Sequence, residues 1–309
     1  MKRRLFAALL ATGVAFAPAG VRPEPATTLK VATTPIDLGA EVLYAKDRGF
    51  FKKAGLDVDV QLMDSGAAIA AAVASGSLDI AQANLISLAT AHERGLPFVV
   101  IAPAGLFSAA APTTNLVVSK TSAIKSAKDL EGKTIAINGL RNITEVGSRA
   151  WMDRGGGDAS KVQFIEMPFP QMSAALGAGR IDAAVIAEPE LSAALADGAR
   201  ILGSPYAAIS KQFLIGGWFT TSAWAKAHPD VVKRFVTATI EAGKWANAHH
   251  AESAAILEKY TKITISPAMK RSIYAERLEI GDIQPLIDAA AKYKSLKNTF
   301  PAAELIAAP

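Results

Sequence analysis

Two segments of this 309-residue chain repeat one pattern, and the repeat limits the possible folds more than any other feature. Residues 71–81 align without gaps on residues 174–184. In each copy an Ala-rich helix runs into a glycine, Gly76 or Gly179, which suits the left-handed position after a helix. A strand that begins Leu-Asp or Ile-Asp follows. The repeat favours two lobes built from the same βαβ unit. The alternative is that the two segments are unrelated helix-to-strand connections that look alike because alanine is common in this chain.

Apolar runs typical of strands alternate with helical patterns along most of the chain. In the first part we predict strands at 29–33, 56–62, 78–81 and 98–102, with helices at 39–46, 67–74 and 86–94. After Pro112 we predict strands at 116–119, 134–137, 162–166, 181–186 and 200–202, with helices at 144–153, 171–176 and 189–195. From Pro229 onward the pattern is mostly helical. The alternation predicts an α/β fold with largely parallel sheets.

The first 19 residues have the organisation of a signal peptide. A short cationic start precedes an apolar run over residues 5–16, and residues 17–19 give a small-x-small cleavage pattern. The run is too short to span a bilayer. We therefore predict cleavage after Ala19, a Pro-rich spacer over residues 20–28, and a soluble mature protein in the periplasm. A lipid anchor is not expected, because the chain contains no cysteine.

Composition excludes several classes of protein. The absence of cysteine removes disulfide scaffolds, zinc ribbons and thiol nucleophiles. The formal charge of +5 falls to +2 without the cationic start, so no basic footprint for nucleic acid remains. The sequence 132–134 lacks the glycine that a phosphate-binding loop needs five positions earlier, and 177–179 lacks the third glycine of a dinucleotide site. We predict no catalytic residue, no metal and no cofactor.

Candidate binding residues follow the carboxyl ends of the predicted strands, where parallel α/β sheets bind ligands. Asp79 and Asp182 stand at the opposite ends, so turn or capping roles are favoured over catalysis. The loops at the carboxyl ends open helices, and backbone N–H groups at helix starts favour an anion or a polarised carbonyl. Serine, asparagine and threonine at these positions also commonly act only as helix caps. These loops contain Pro35, Ile36, Ser65, Gly66, Asn84, Asn142, Ile143, Thr144 and Glu188.

Several motifs resemble those of one protein family. Residues 45–58 read A-K-D-R-G-F-F-K-K-A-G-L-D-V, which is similar to the A-K-x-x-G-x-F-x-x-x-G-L-x-V opening of exported solute-binding proteins of ABC importers. The subgroup it resembles handles nitrate, taurine, aliphatic sulfonates and thiamine-pyrimidine precursors. Further matches lie at 74–81, 129–136, 179–184, 188–189 and 227–232. Together these motifs indicate the family and leave its ligand open.

The resemblance implies a type II periplasmic binding fold, with two α/β lobes joined by two strand-like crossovers near residues 111–115 and 204–211. Lobe one would comprise 29–112 plus 208–309, and lobe two 113–207. The lobes would close on a small solute by a population shift. The closed form would dock on an inner-membrane permease driven by a cytoplasmic ATPase. We expect a monomer that performs no catalysis.

The resemblance and the strand-end argument together assign roles to the candidate residues. An apolar wall and first-lobe donors are expected from Pro35, Ile36, Ser65, Gly66 and Asn84. The second lobe's helix start is expected to present Asn142, Ile143 and Thr144. Glu188 could accept from an amine or a ring N–H. Trp218 could stack on a planar ligand or belong to the core, and Arg141 could pair with an oxyanion or be solvated. We expect a sulfonate, taurine-like or related oxyanion-bearing solute, with a pyrimidine or an aromatic carboxylate as the alternative.

Two other classes of protein remain as alternatives. Some eukaryotic relatives of the pyrimidine-precursor binders consume a bound cofactor, but they depend on a cysteine-rich motif that this chain lacks. The effector domains of LysR-type regulators share the lobed fold, but they follow a DNA-binding helix-turn-helix. In this chain a signal peptide is predicted at that place. The binding-protein hypothesis is therefore favoured over both.

Overall fold

We describe residues 26–64 and 66–307 of a computed structural model of the protein. The strands are β1 (Thr27–Thr33), β2 (Leu56–Leu62), β3 (Ile80–Asn84), β4 (Phe98–Pro103), β5 (Gly105–Ser108), β6 (Thr114–Val118), β7 (Thr134–Ile137), β8 (Gln163–Glu166), β9 (Ala183–Ala187), β10 (Arg200–Gly203), β11 (Gln212–Leu214), β12 (Gly216–Thr221) and β13 (Ile273–Tyr274). The α-helices are α1 (Glu41–Asp47), α2 (Phe50–Lys53), α3 (Gly66–Ala74), α4 (Leu85–Glu93), α5 (Ile143–Arg154), α6 (Phe169–Gly177), α7 (Glu190–Ala196), α8 (Ser222–Ala227), α9 (Pro229–Ala248), α10 (His250–Thr261) and α11 (Ile280–Lys292).

Two five-stranded sheets of the same design form the two lobes. The first has the order β2-β1-β3-β12-β4, and the second has the order β8-β7-β9-β6-β10. In each sheet one strand, β12 or β6, runs antiparallel to both of its neighbours. The pairs β1–β2, β1–β3, β7–β8 and β7–β9 are parallel. The predicted two-lobed α/β fold with largely parallel sheets is confirmed.

The repeated sequence occupies equivalent places in the two lobes. Each copy joins a helix to a strand, α3 to β3 and α6 to β9. Gly76 has φ 75° and Gly179 has φ 66°, in the left-handed region where glycine is favoured. The carboxylate of Asp79 accepts from a backbone N–H of β1 at 2.7 Å, and that of Asp182 accepts from the first N–H of β7 at 2.8 Å. Both aspartates therefore hold a neighbouring strand in place.

Two connections run side by side between the lobes. β5 pairs antiparallel with β11, and β13 adds to the other side of β5. The chain passes between this small sheet and the second lobe over residues 109–113 and 204–211. Both predicted crossovers overlap these segments. No sequence pattern predicted β12, however, which follows the return from the second lobe and lies inside the first sheet, between β3 and β4.

The N-terminal predictions meet the structure only in part. The predicted signal peptide, residues 1–19, lies outside the described residues. Thr27 and Thr28, predicted as spacer, are part of β1, where both pair with β2. No helix in the ranges that the structure describes has the length and apolar character needed to cross a membrane.

The lobes also touch through their helices. Ile143 and Val146 of α5, in the second lobe, are buried in one apolar cluster with Leu88 of α4 and Ile287 of α11 from the first lobe. Asp153, near the end of α5, accepts from Lys292 Nζ and from Tyr293 Oη, both at 2.9 Å. This contact closes one side of the cleft between the sheets.

Candidate functional site

A cavity of about 450 Å³ lies between the two lobes. Its first-lobe wall includes Thr34 after β1, the start of α3 and Asn84 at the end of β3, while its second-lobe wall includes Asn138 after β7 and Glu188 after β9. These are the carboxyl ends of parallel strands, where α/β sheets bind ligands. The volume falls in the range of sites for small organic molecules.

Seven of the ten candidate residues meet at this cavity, and they come from both lobes. They are Ile36, Gly66, Asn84, Asn142, Ile143, Thr144 and Glu188. Pro35 lines a small recess beside the cavity instead, together with Asp64 and Pro170. Ser65 lies outside the described residues.

Trp218 does not reach the cavity, so of the two alternatives stated for it, stacking on a planar ligand is wrong and a place in the core is supported. It lies in β12 between two other strands, is 0% exposed, and packs on Phe235 of α9 with ring centroids 5.7 Å apart. The side chain points to the sheet face that α1 and α9 cover. Trp218 therefore belongs to the core of the first lobe.

Glu188 is a buried carboxylate in the cavity wall, with 4% of its surface exposed. Its two oxygens accept from the backbone N–H and the Oγ of Ser192, both at 2.9 Å. Burial raises the pKa of Glu188 to about 7; the bonds from Ser192 oppose this rise, and the Asp37 carboxylate adds to it. Near neutral pH the group is therefore poised between its two protonation states, and in the charged state it favours a cationic or N–H donor.

A buried ion pair fixes the first-lobe side of the cavity. Asp37, 1% exposed, accepts from Arg271 Nη2 at 2.7 Å and from Arg271 Nε at 3.1 Å. It also accepts from the backbone N–H of Ser272 at 2.6 Å. Its own backbone N–H donates to the Glu188 carbonyl of the other lobe at 3.1 Å. Asp37 thus positions Ser272 in the cavity wall and links the two lobes.

The start of α5 is already capped by side chains, which corrects the expected anion site. Asn142 Oδ1 accepts from the backbone N–H groups of Thr144 at 2.9 Å and Glu145 at 3.4 Å. Thr144 Oγ1 and Asn142 Nδ2 donate to Asn138 Oδ1 at 3.0 and 2.9 Å. Because these groups satisfy one another, Asn142 and Thr144 form part of the wall, and the N–H groups of Thr144 and Glu145 are not offered to a ligand.

We expect Asn142→Ala to lower the free energy of unfolding by about 1 kcal/mol, because the cap of α5 is lost. Asn142→Asp keeps the accepting oxygen that caps the helix and loses only the Nδ2 bond to Asn138, so it should lose less stability than Asn142→Ala. Urea denaturation followed by circular dichroism measures both. Equal stability of Asn142→Ala and the parent would contradict the capping role.

The Arg141 guanidinium already has a hydrogen-bond partner, and that partner lies in the other lobe. Its Nη2 donates to the Ser295 carbonyl of the first lobe at 2.7 Å, and its backbone N–H donates to Glu145 Oε2 at 2.7 Å. Its φ of 60° places it in the left-handed region, which asparagine and glycine adopt more readily. Arg141 is also one of the residues that line the cavity.

Sequence reasoning missed several lining residues for identifiable reasons. Ser272 belongs to a loop that carries no motif. Its place depends on Asp37, which accepts from the Ser272 backbone N–H and forms an ion pair with the preceding residue, Arg271. Four alanines of α3 also line the cavity. Residues three, four and seven positions apart lie on one face of a helix, so this spacing could have predicted that the four alanines line a common surface. They are Ala67, Ala70, Ala71 and Ala74.

The cavity between the two lobes, at the carboxyl ends of their strands, is the arrangement of a protein that binds a ligand between two lobes. The model of the family described as NMT1/THI5 like matches residues 39–253, which is more than half of the chain. The protein belongs to this family.

Curated relatives have related sequences. The taurine-binding periplasmic protein of Escherichia coli (strain K12) is 31% identical over 196 residues, which cover 63% of this chain and 59% of the relative. The putative aliphatic sulfonates-binding protein of Bacillus subtilis (strain 168) is 28% identical over 218 residues, covering 69% and 64%. The chain thus spans about three fifths of the length of the curated relatives it matches.

A solved structure shares the fold. The periplasmic aliphatic sulphonate binding protein SsuA from Escherichia coli superposes with a TM-score of 0.74 at 17% identity, covering 91% of this chain and 97% of that one. The predicted periplasmic binding fold is thereby confirmed.

Proposed function

We propose that this protein is the periplasmic solute-binding component of an ABC importer. It captures a small organic solute between its lobes and delivers it to an inner-membrane permease driven by a cytoplasmic ATPase. The observation that carries the proposal is the cavity walled by both lobes. A solute there contacts both lobes at once, so it stabilises the closed arrangement over the open one. Family membership and the names of the curated relatives support the same function.

The solute of this proposal is a sulfonate, a taurine-like compound or a related molecule bearing an oxyanion. Glu188 accepts from its amine, and Ile36 supplies apolar contact. A pyrimidine or an aromatic carboxylate is the second candidate. It is favoured by two aromatic residues of the cavity lining, Phe169 and Tyr206.

The remaining parts of the proposal concern the whole chain. The mature protein acts in the periplasm as a monomer after removal of residues 1–19, and it binds its solute without changing it. Lobe one comprises 29–112 plus 208–309, and lobe two comprises 113–207. In support of these bounds, the first five-stranded sheet lies within the lobe-one ranges except for Thr27 and Thr28 of β1, and the second lies within the lobe-two range.

Binding is tested by thermal unfolding of the mature protein with taurine, alkanesulfonates, nitrate, pyrimidines and aromatic carboxylates. A ligand present at 100 times its dissociation constant adds about 2.7 kcal/mol to native stability. For an amine ligand, affinity should fall about tenfold per pH unit below pH 7, since protonation removes the charge of Glu188. Calorimetric titration at several pH values measures this dependence.

Two results would count against the function. One is that no compound of the panel raises the melting temperature. The other is that nuclear magnetic resonance shows chemical conversion of a bound compound by the purified protein.

A further inference from the structure

The cavity extends into a groove between α3 and α4. Each helix contributes residues spaced as i, i+3, i+4 and i+7, which lie on one helix face. From α3 these are Ala67, Ala70, Ala71 and Ala74, and from the α4 segment they are Ser87, Thr90, Ala91 and Arg94. At 1.5 Å per residue, each side of the groove is about 10 Å long.

The walls of this groove are largely apolar in character. The α3 side consists of alanine methyl groups. On the α4 side, Ser87 Oγ accepts from Asn84 Nδ2 at 2.9 Å, and Thr90 Oγ1 donates to the Ile86 carbonyl at 2.9 Å. Because the Thr90 hydroxyl donates within the helix, Ser87 Oγ already has one partner and the opposite wall is alanine, the groove favours a hydrocarbon chain over a polar one.

The inner end of the groove is polar. α3 begins close to the end of β1, since Thr33 pairs with Leu62 just ahead of the helix. Ser272 and Glu188 line the same cavity as the start of α3, and they are 3% and 4% exposed. Ser272 Oγ has no hydrogen-bond partner among the residues described. A buried hydroxyl without a partner is costly, so a ligand group that bonds to it is favoured.

The outer end carries a cation. Arg94 closes α4, is exposed, and borders the cavity. In the described part of the chain its guanidinium makes neither an ion pair nor a side-chain hydrogen bond. Guanidinium groups recognise carboxylates and other oxyanions well, because their donors form a planar fork.

We propose that the solute is an elongated zwitterion, with its amine against Glu188 and Ser272, its methylene chain along the groove, and its oxyanion at Arg94. Taurine, with two carbons, spans only a fraction of a groove about 10 Å long. A six-carbon homologue matches that length. This inference rests on the proposed function and names the class of solute for the same cavity.

The test uses calorimetric titration of the mature protein with ω-aminoalkanesulfonates of two, three, four and six carbons. Affinity should rise up to about fourfold with each added methylene, because each one is buried in the groove. In Ala71→Leu the new side chain fills the groove, so affinity for the six-carbon compound should fall about tenfold. Affinity for taurine should stay within about twofold of the parent.

Two further variants sharpen the test. Ala68→Leu adds the same bulk to an exposed residue of α3 that does not line the cavity, and it should bind every compound like the parent. Arg94→Gln should weaken the six-carbon compound about threefold and weaken taurine less than that. Melting temperatures of all variants without ligand establish that they fold.

The outcomes separate this inference from the function on which it rests. Equal affinity for all chain lengths, or loss of taurine and long compounds alike in Ala71→Leu, overturns the elongated solute and leaves solute binding intact. If no aminoalkanesulfonate binds but a pyrimidine or an aromatic carboxylate raises the melting temperature, the elongated zwitterion alone is overturned. If no compound of either series binds to the parent, both the inference and the proposed function are overturned.

Discussion

Replacing Arg271 with alanine should lower the free energy of unfolding by about 3–5 kcal/mol. The guanidinium donates twice to Asp37, and the carboxylate is 1% exposed. Without Arg271 this carboxylate remains buried with no cationic partner, and desolvation of a lone charge is costly. The loop that holds Ser272 should also loosen, because it depends on the same carboxylate.

Urea denaturation of the mature protein measures the effect of Arg271→Ala. Lys259→Ala is the matched control, because Lys259 pairs with Asp47 in the same lobe while its side chain stays 62% exposed. An exposed pair contributes about 0–1 kcal/mol. Similar small losses in the two variants would show that the buried pair is not a main stabilising contact.

Glu188→Gln should stabilise the ligand-free protein at alkaline pH by about 3 kcal/mol. The pKa of the carboxyl rises from 4.5 to about 7 on folding, mainly through burial. The folded state therefore binds this proton more tightly than the unfolded state does. The carboxyl costs nothing below pH 4.5, and its cost grows as pH rises to 7 and stays constant above that.

Thermal unfolding of the parent and Glu188→Gln between about pH 4 and 9 measures this difference. Glu166→Gln removes an exposed carboxylate from the lining of the same cavity and serves as the matched control. Parallel pH profiles for the parent and Glu188→Gln would contradict a buried carboxyl with a raised pKa.

Local patterns predicted the elements that depend on local signals. The strand Leu56–Leu62 matches its prediction from residue to residue, because its buried residues alternate with exposed ones near its start. Thr134–Ile137 also matches, as a short apolar run between turns. The glycines at 76 and 179 predicted both helix ends, since a left-handed residue strongly favours glycine.

Long-range pairing decided what the sequence could not predict. β12 opens with two glycines, which weaken any strand signal, and it exists as a strand because β3 and β4 flank it. Because β12 lies between β3 and β4, the Trp218 side chain is buried in the core of the first lobe. No local sequence pattern indicates this orientation. Ser272 enters the cavity wall through a hydrogen bond to Asp37, 235 residues away.

The candidate site was predictable in place but not in chemistry. Strand-end loops gave seven lining residues, because α/β topology fixes where loops meet. Whether Asn142 serves a ligand or caps its own helix depends on the rotamers of Asn138 and Thr144, which the sequence does not specify.

A crystal structure of the mature protein with a bound panel compound tests the central claim most directly. We predict an intact solute in the cavity, within hydrogen-bond distance of Glu188 from the second lobe and in contact with Ile36 from the first. A solute bound to one lobe alone, bound outside the cavity, or found there as a reaction product would contradict the account.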